Sequence, residues 1–142
     1  MKQNDNCGVM IHQIHNTIEK NANNQLKKKG LTFSQMAVLL AICSSPEKRI
    51  TFKELEKLLV LAQSTTVGLI SRLEQKQLVT TWGDNNDKRI KYVEITSLGK
   101  EYCIDAEKEM EYTENQLLSA LSKSEQETFL ILLRKVNENL QK

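Results

Sequence analysis

Cysteine and histidine have the widest chemical range of the side chains in this sequence, since both bind metals and both serve in catalysis. Cys7, Cys43 and Cys103 are far apart and form no C-x-x-C pair, so their spacing predicts neither a metal site nor a disulfide framework. His12 and His15 are close enough on a predicted helix to reach one metal ion, but no further ligand follows at a recognisable spacing. We predict no bound metal and no cofactor.

Sequence motifs that serve catalysis are also missing. The chain has no glycine-rich phosphate loop, no G-x-S-x-G nucleophile turn and no H-E-x-x-H zinc motif. Neither histidine has a nucleophile that the sequence identifies as its partner. The chain is therefore predicted not to be an enzyme.

Length and composition predict a single, mainly helical domain over residues 1–142. Of the 142 residues, 39% are hydrophobic and 27% are charged, and there are only one proline and five glycines. The longest apolar run, residues 36–43, is too short to cross a membrane. Because the first six residues are polar, we also expect no signal peptide. These features favour a protein of the reducing cytoplasm.

The net charge of +2 is unevenly distributed along the chain. Residues 47–100 hold ten basic and seven acidic groups, whereas residues 101–142 hold five basic and nine acidic groups. A basic middle segment is compatible with a polyanionic partner, although charged residues also occur on any solvated helix face. Charge alone does not choose between these interpretations.

Helical periodicity predicts four helices before residue 78. The first covers residues 7–28, and capping boxes at Thr32 and Thr51 open the second and third. A tight connection leads to the fourth helix, over about 63–77, so that the third and fourth have the form of a helix-turn-helix. Residues predicted to face inward are Leu55, Leu58 and Leu59 in the third helix and Val67, Ile70 and Leu73 in the fourth.

The pattern then changes from helical to extended. Residues 78–82 and 90–95 are rich in β-branched and aromatic side chains and predict two strands. Between them, residues 83–88 are dense in glycine, asparagine and aspartate, the residues that favour turns. A β-hairpin directly after a helix-turn-helix indicates a wing.

Two long amphipathic helices follow the wing. Thr96 caps a fifth helix over 97–120, and Ser122 with Glu125 forms the capping box of a sixth. A winged helix of this size is too small to cover their apolar faces, so we predict that residues 1–30 and 97–142 form dimerisation helices. A bundle formed within one chain is the alternative.

Several of these segments carry a family resemblance. Residues 31–39 resemble the opening of the second helix in MarR-type regulators, and residues 63–74 resemble the recognition helix of that family. Residues 86–89 and 93–99 resemble its wing tip, outer strand and entry to the long helix. The segments occur in the family's order over about residues 7–140. The resemblance implies a winged helix-turn-helix DNA-binding lobe over 31–96, flanked by N- and C-terminal dimerisation helices.

The sequence departs from the family pattern at three positions. Ala62 stands where a small hydroxyl residue usually caps the recognition helix, which predicts a weaker helix start. Gln77 replaces the usual glycine at the helix end, and Trp82 occupies a wing position that is often basic.

The resemblance also implies which residues contact DNA. The fourth helix is expected to enter the major groove, with Gly68 allowing close approach of its backbone. At the wing, Arg89 is expected to reach the minor groove, Asp87 to hold that arginine extended, and the lysines to contact phosphates. The candidate DNA-binding residues are Gln63, Ser64, Thr65, Gly68, Ser71, Arg72, Asp87, Lys88, Arg89 and Lys91.

The predicted function is a homodimeric transcription regulator, a repressor that binds a pseudo-palindromic operator in double-stranded DNA and is released by a small-molecule effector. One alternative is a winged helix that binds another protein and no DNA. Another is a thiol-based redox sensor acting through Cys7, although the aromatic residues that follow the reactive cysteine in such sensors are absent here. Cys43 and Cys103 are predicted to be core residues.

Overall fold

Helices carry most of the chain, as the small number of breakers predicts. The computed structural model describes residues 5–142; residues 1–4, which begin the predicted dimerisation segment 1–30, lie outside the described residues. The helices and strands, in chain order, are α1 (Cys7–Leu26), α2 (Phe33–Cys43), β1 (Arg49–Thr51), α3 (Phe52–Leu59), α4 (Gln63–Gln75), β2 (Val79–Gly83), β3 (Lys91–Ile95), α5 (Ser97–Leu118) and α6 (Lys123–Leu140).

The predicted fold class is confirmed: the protein is mainly α, with a winged helix-turn-helix and a small hairpin wing. The chain divides into two compact units, the first ending at Glu109 and the second covering Met110–Lys142. None of the helices in the described part of the chain combines the length and apolar character that a membrane-spanning helix needs.

The core of the first unit forms around α2. Val38, Leu39 and Ile42 are fully buried, and the helix packs against α1, α3 and α4. The predicted capping box at its start is present: the Thr32 hydroxyl accepts from the Gln35 amide, and the Gln35 side chain accepts from the Thr32 amide. Local capping chemistry therefore fixes where α2 begins, and burial of its apolar residues fixes where it packs.

A third strand completes the sheet. The sequence predicts an extended segment around Ile50 but not its partner, and the structure pairs β1 with β3 in the antiparallel order β1-β3-β2. Ile50 lies opposite Val93, and both side chains are buried. At the end of β1 the Thr51 hydroxyl accepts from the Glu54 amide as predicted, but the Glu54 carboxylate accepts from that hydroxyl, so the reciprocal half of the box is absent.

Two predictions about the inward faces of α3 and α4 are wrong. Leu58 is 60% exposed and Val67 is 45% exposed, whereas Thr66 is fully buried. Thr66 can be buried because its hydroxyl donates to the Ala62 carbonyl at 3.1 Å, which satisfies the polar group inside the helix. The buried stripe of α4 is therefore Thr66, Ile70 and Leu73.

Gln77, which replaces the usual glycine after α4, adopts a left-handed backbone with φ of +63°. Because a side chain is disfavoured in this conformation, Gln77→Gly should raise the free energy of unfolding by about 0.5–1 kcal/mol. Gln75→Gly, the same substitution in the last helical residue of α4, should lower it. Urea denaturation of both variants checks the pair, and a less stable Gln77→Gly protein would contradict this account of the turn.

The second unit contains the end of α5 and all of α6. The predicted capping box at Ser122 and Glu125 is present, with the Ser122 amide donating to the Glu125 carboxylate at 2.9 Å. No residue of α6 is buried in the single chain. Its exposed large apolar side chains are Leu130, Ile131, Leu132, Leu133, Val136 and Leu140.

Candidate nucleic-acid interface

One face of α4 is lined by the residues that the sequence singles out. The helix packs on α2 and α3 through its buried stripe, so its opposite face is left to solvent. All six predicted residues of this helix are exposed, namely Gln63, Ser64, Thr65, Gly68, Ser71 and Arg72. The face thus offers short hydroxyl groups, an amide and one cation, which are groups that bind base edges and phosphates.

The start of α4 has no side-chain cap. Ala62 occupies the N-cap position and supplies no oxygen to the amides of the first turn, as the departure from the family pattern predicts. These amides and the positive end of the helix dipole are therefore available to an anion. Further along, a Cβ built on Gly68 meets no atom within 4 Å, so the space over this backbone is open.

The wing turn is organised by Asp84, which is not among the residues predicted to contact DNA. Its carboxylate accepts from the amides of Asn86 and Asp87, each at 3.0 Å, and contacts the Tyr92 hydroxyl at 3.5 Å. Aspartate followed by Asn-Asn-Asp favours this kind of side-chain-to-backbone turn, and that signal could have identified the residue. Asp84 therefore holds the loop that presents the wing tip.

Asp87 and Arg89 form a fork at the wing tip. The Arg89 Nε and Nη2 atoms donate to the two carboxylate oxygens of Asp87, each at 3.1 Å, and the Arg89 amide donates to the same carboxylate at 3.0 Å. The arginine side chain is nevertheless 91% exposed. The bidentate geometry fixes the orientation of the guanidinium against Asp87 and leaves it open to solvent.

The same fork affects the protonation of both groups. Hydrogen bonds from the Arg89 side chain and then from its amide hold the pKa of Asp87 below its ordinary value, and Asp87 in turn raises the pKa of Arg89. Because the pKa of Asp87 is lowered, the pair contributes fully to folding stability at pH values above the ordinary aspartate pKa. This contribution is lost as the pH falls through the lowered pKa of Asp87. The fork therefore persists throughout the neutral range.

The remaining predicted wing residues are also at the surface. Lys88 follows Asp87 in the turn, and Lys91 begins β3 opposite Gly83, with both lysines exposed. Trp82 of β2 stacks on Tyr92 of β3 with ring centroids 5.5 Å apart, and this cross-strand contact joins the two strands of the hairpin. The structure thus places Lys88, Arg89 and Lys91 on one hairpin, as predicted.

The cysteines differ in their surroundings. Cys7 is exposed at the start of α1, Cys43 is half-buried, and Cys103 is buried with its Sγ 3.7 Å from the Leu39 carbonyl. Burial, followed by a hydrogen bond with Cys43, raises the pKa of Cys103 to about 12. Cys103 is therefore a protonated core thiol at neutral pH.

Both histidines contact a side chain one turn later in α1. His15 lies 3.2 Å from the Glu19 carboxylate, and the ring of His12 hydrogen-bonds to the Asn16 side chain at 3.1 Å. Over residues 5–142, no group of three or more histidine, cysteine, aspartate and glutamate side chains is arranged to hold a metal ion. The structure thus brings no third ligand to this histidine pair.

Comparison with known proteins identifies the family. A family model described as MarR family matches residues 29–90. The uncharacterized HTH-type transcriptional regulator YwaE of Bacillus subtilis is 31% identical over 88 residues, and the match spans 62% of this chain but only 52% of YwaE. The transcriptional regulator HosA of Escherichia coli is 30% identical over 127 residues, which is 89% of this chain and 93% of HosA.

A solved structure agrees with these matches. A mutant of MarR from E. coli complexed with operator DNA has 28% sequence identity and a TM-score of 0.79, with 91% of each chain covered. Both matches span about nine tenths of this chain and of the matched protein. The chain belongs to the MarR family of transcriptional regulators.

Proposed function

We propose that this chain is a sequence-specific DNA-binding transcription regulator that reads the major groove with α4 and the minor groove with its wing. The observation that carries the proposal is the Asp87–Arg89 fork, which holds an exposed cation in one orientation at the tip of the hairpin. Such a cation is attracted to the negative potential of a narrow minor groove. The exposed polar face of α4 and its uncapped first turn supply the matching major-groove contacts.

A homodimer is the proposed binding unit. In the second unit, α6 exposes six large apolar side chains, and in the first unit α1 exposes Val9, Met10, Ile11 and Ile14. Exposed apolar patches of this kind mark interaction surfaces, and a second copy of the chain would cover them. Two-fold symmetry would then require a pseudo-palindromic operator, with half-sites about one helical turn apart.

Regulation by a small-molecule effector completes the proposal. The regulator would act in the cytoplasm as a repressor. An effector would release it from DNA by changing the distance between the two DNA-binding lobes of the dimer. Support for this part comes from the family resemblance, and no effector-binding residues are assigned.

The wing can be tested directly with Arg89→Ala. We expect this substitution to weaken binding to the operator by about 1–3 kcal/mol, because it removes a specific interaction of arginine with DNA. Asp87→Ala should weaken binding in the same direction but less, since Asp87 orients the arginine without touching DNA itself. Thermal stability should hardly change in Arg89→Ala because the side chain is almost fully exposed. Fluorescence anisotropy measures the affinity, with a duplex selected from a random pool serving as the operator.

Two control variants separate base reading from simple charge. Lys91→Ala, at a proposed phosphate-binding position, should weaken all duplexes about equally and reduce the salt slope by about one unit for each phosphate that is no longer neutralised. Lys108→Ala, which removes a positive charge from α5, should leave affinity unchanged. If Arg89→Ala binds the selected duplex as tightly as wild type, the wing is not a reading element.

The other two hypotheses make different predictions. A winged helix that binds only protein would enrich no sequence from the random pool. If Cys7 were a redox switch, peroxide would release the wild type from DNA but not Cys7→Ser. The exposed Cys7 is accessible to such an oxidant, so comparing the two proteins with and without peroxide decides the question.

A further inference from the structure

Val67 interrupts the polar face of α4. Its side chain is 45% exposed, although a helix of this kind usually turns its valines inward. The structure describes every residue of α4, and Val67 is the one exposed large apolar residue among them. Leu69 packs partly against the core, and Ile70 and Leu73 are buried. Thr66, the residue before Val67, is fully buried instead.

The neighbours of Val67 place it within the proposed DNA-binding face. Ser64 lies one turn before it and Ser71 one turn after it, and both are exposed. Glu74 lies two turns after Val67 on the same edge of the helix, and its carboxylate accepts from the Thr81 hydroxyl of β2 at 2.7 Å. Val67 is therefore on the edge of α4 that adjoins the wing.

Gly68 makes this part of the helix accessible to a closely approaching surface. A Cβ at Gly68 would contact nothing within 4 Å, and the glycine leaves the backbone bare next to Val67. A surface that contacts the helix here can reach the Val67 methyl groups without displacing a larger neighbour.

The major groove presents one apolar group among its hydrogen-bond donors and acceptors, the C5 methyl of thymine. A valine can form no hydrogen bond to a base edge, so a methyl group is the base feature that it can bind favourably. The serines on either side can exchange hydrogen bonds with neighbouring bases. The arrangement therefore combines one apolar contact with flanking polar contacts.

We infer that Val67 is a specificity-determining residue that selects thymine in each operator half-site through contact with its C5 methyl group. This inference rests on the proposed function. It assigns Val67 to the surface that reads DNA, whereas the hydrophobic pattern of the sequence places Val67 in the core.

The test replaces thymine by deoxyuridine, which removes only the methyl group. The probe is a duplex that the wild-type protein selects from a random pool, with thymines replaced one symmetry-related pair at a time. At one pair, wild type should bind about three- to tenfold more weakly after replacement, as expected when a small apolar group is removed from a buried interface. Val67→Ala should bind the unmodified duplex more weakly by a similar factor and show no further decrease in affinity with uracil at that pair.

Matched variants identify the source of the effect. Leu58→Ala, which removes another exposed apolar side chain of the helix-turn-helix, should keep the wild-type response to uracil. Val67→Thr, which retains one methyl group, should keep part of the wild-type response to uracil. A thermal melt of Val67→Ala is expected to match wild type or exceed it, because alanine favours a helix more than valine does.

The outcomes distinguish this inference from the function on which it rests. If Val67→Ala responds to uracil as wild type does at every pair, Val67 does not read thymine, and the protein remains a DNA-binding regulator. If no pair affects wild-type binding, the inference is likewise overturned. If wild type enriches no sequence and binds no duplex, the proposed function fails together with the inference.

Discussion

Gly99→Ala should destabilise the first unit by about 3 kcal/mol, at the upper end of what overpacking usually costs. A Cβ at Gly99 would lie 2.2 Å from the Leu78 carbonyl oxygen and 2.9 Å from Ile95 Cγ1. The Leu78 carbonyl cannot move away easily, because it accepts from the Thr96 amide at 3.0 Å just before α5 begins. The substitution therefore forces apart the start of α5 and the backbone between α4 and β2.

Gly68→Ala is the matched control for this prediction, since it makes the same change inside another helix. With no atom near the added Cβ, it should raise the free energy of unfolding by up to about 1 kcal/mol through helix propensity. Urea denaturation followed by circular dichroism compares the two variants. Equal stabilities for Gly99→Ala and wild type would contradict the close approach of α5 to the Leu78 carbonyl.

The double substitution Leu132→Glu and Val136→Glu should convert the proposed homodimer into monomers or abolish stable folding of α6. The two side chains lie on the same face of α6 and are 56% and 52% exposed in the single chain. Burying two carboxylates against a second copy costs several kcal/mol per unpaired charge. Sedimentation equilibrium measures the association, and circular dichroism reports whether the helix is retained.

Arg134→Glu is the control for the dimer prediction. It changes the charge by the same −2 but lies on the face of α6 that carries Leu130 and Ile131, away from Leu132 and Val136. This variant should remain dimeric. A wild-type protein that sediments as a monomer at micromolar concentration, or a double variant that dimerises as tightly as wild type, would rule out this face as the dimer interface.

Features determined by neighbouring residues could be predicted from the sequence. The capping boxes at Thr32 and Ser122 are present because the side chain and the amide that it binds lie three residues apart. The wing is likewise indicated by its local turn residues, and the Asp87–Arg89 fork joins residues two positions apart. The departure at Ala62 has the expected consequence, a helix start without a side-chain cap.

Features that depend on the packing of distant segments could not be predicted. The pairing of Ile50 with Val93 joins residues far apart in sequence. The close approach of Gly99 to the Leu78 carbonyl requires two elements to meet, and a lone glycine gives no sign of it. Thr66 rather than Val67 is buried, because a hydrogen bond within the helix satisfies the Thr66 hydroxyl. Hydrophobic periodicity does not predict this, since it counts threonine as polar.

The salt dependence of duplex binding tests the central claim, that the protein is a sequence-specific DNA-binding regulator. We predict that the wild-type protein binds a random-sequence duplex. The logarithm of its association constant should fall linearly with the logarithm of the salt concentration, with a slope of about −0.9 for each phosphate neutralised. It should bind the duplex selected from a random pool at least about tenfold more tightly at the same salt. Absence of duplex binding, or an affinity that does not change with salt concentration, would contradict the account.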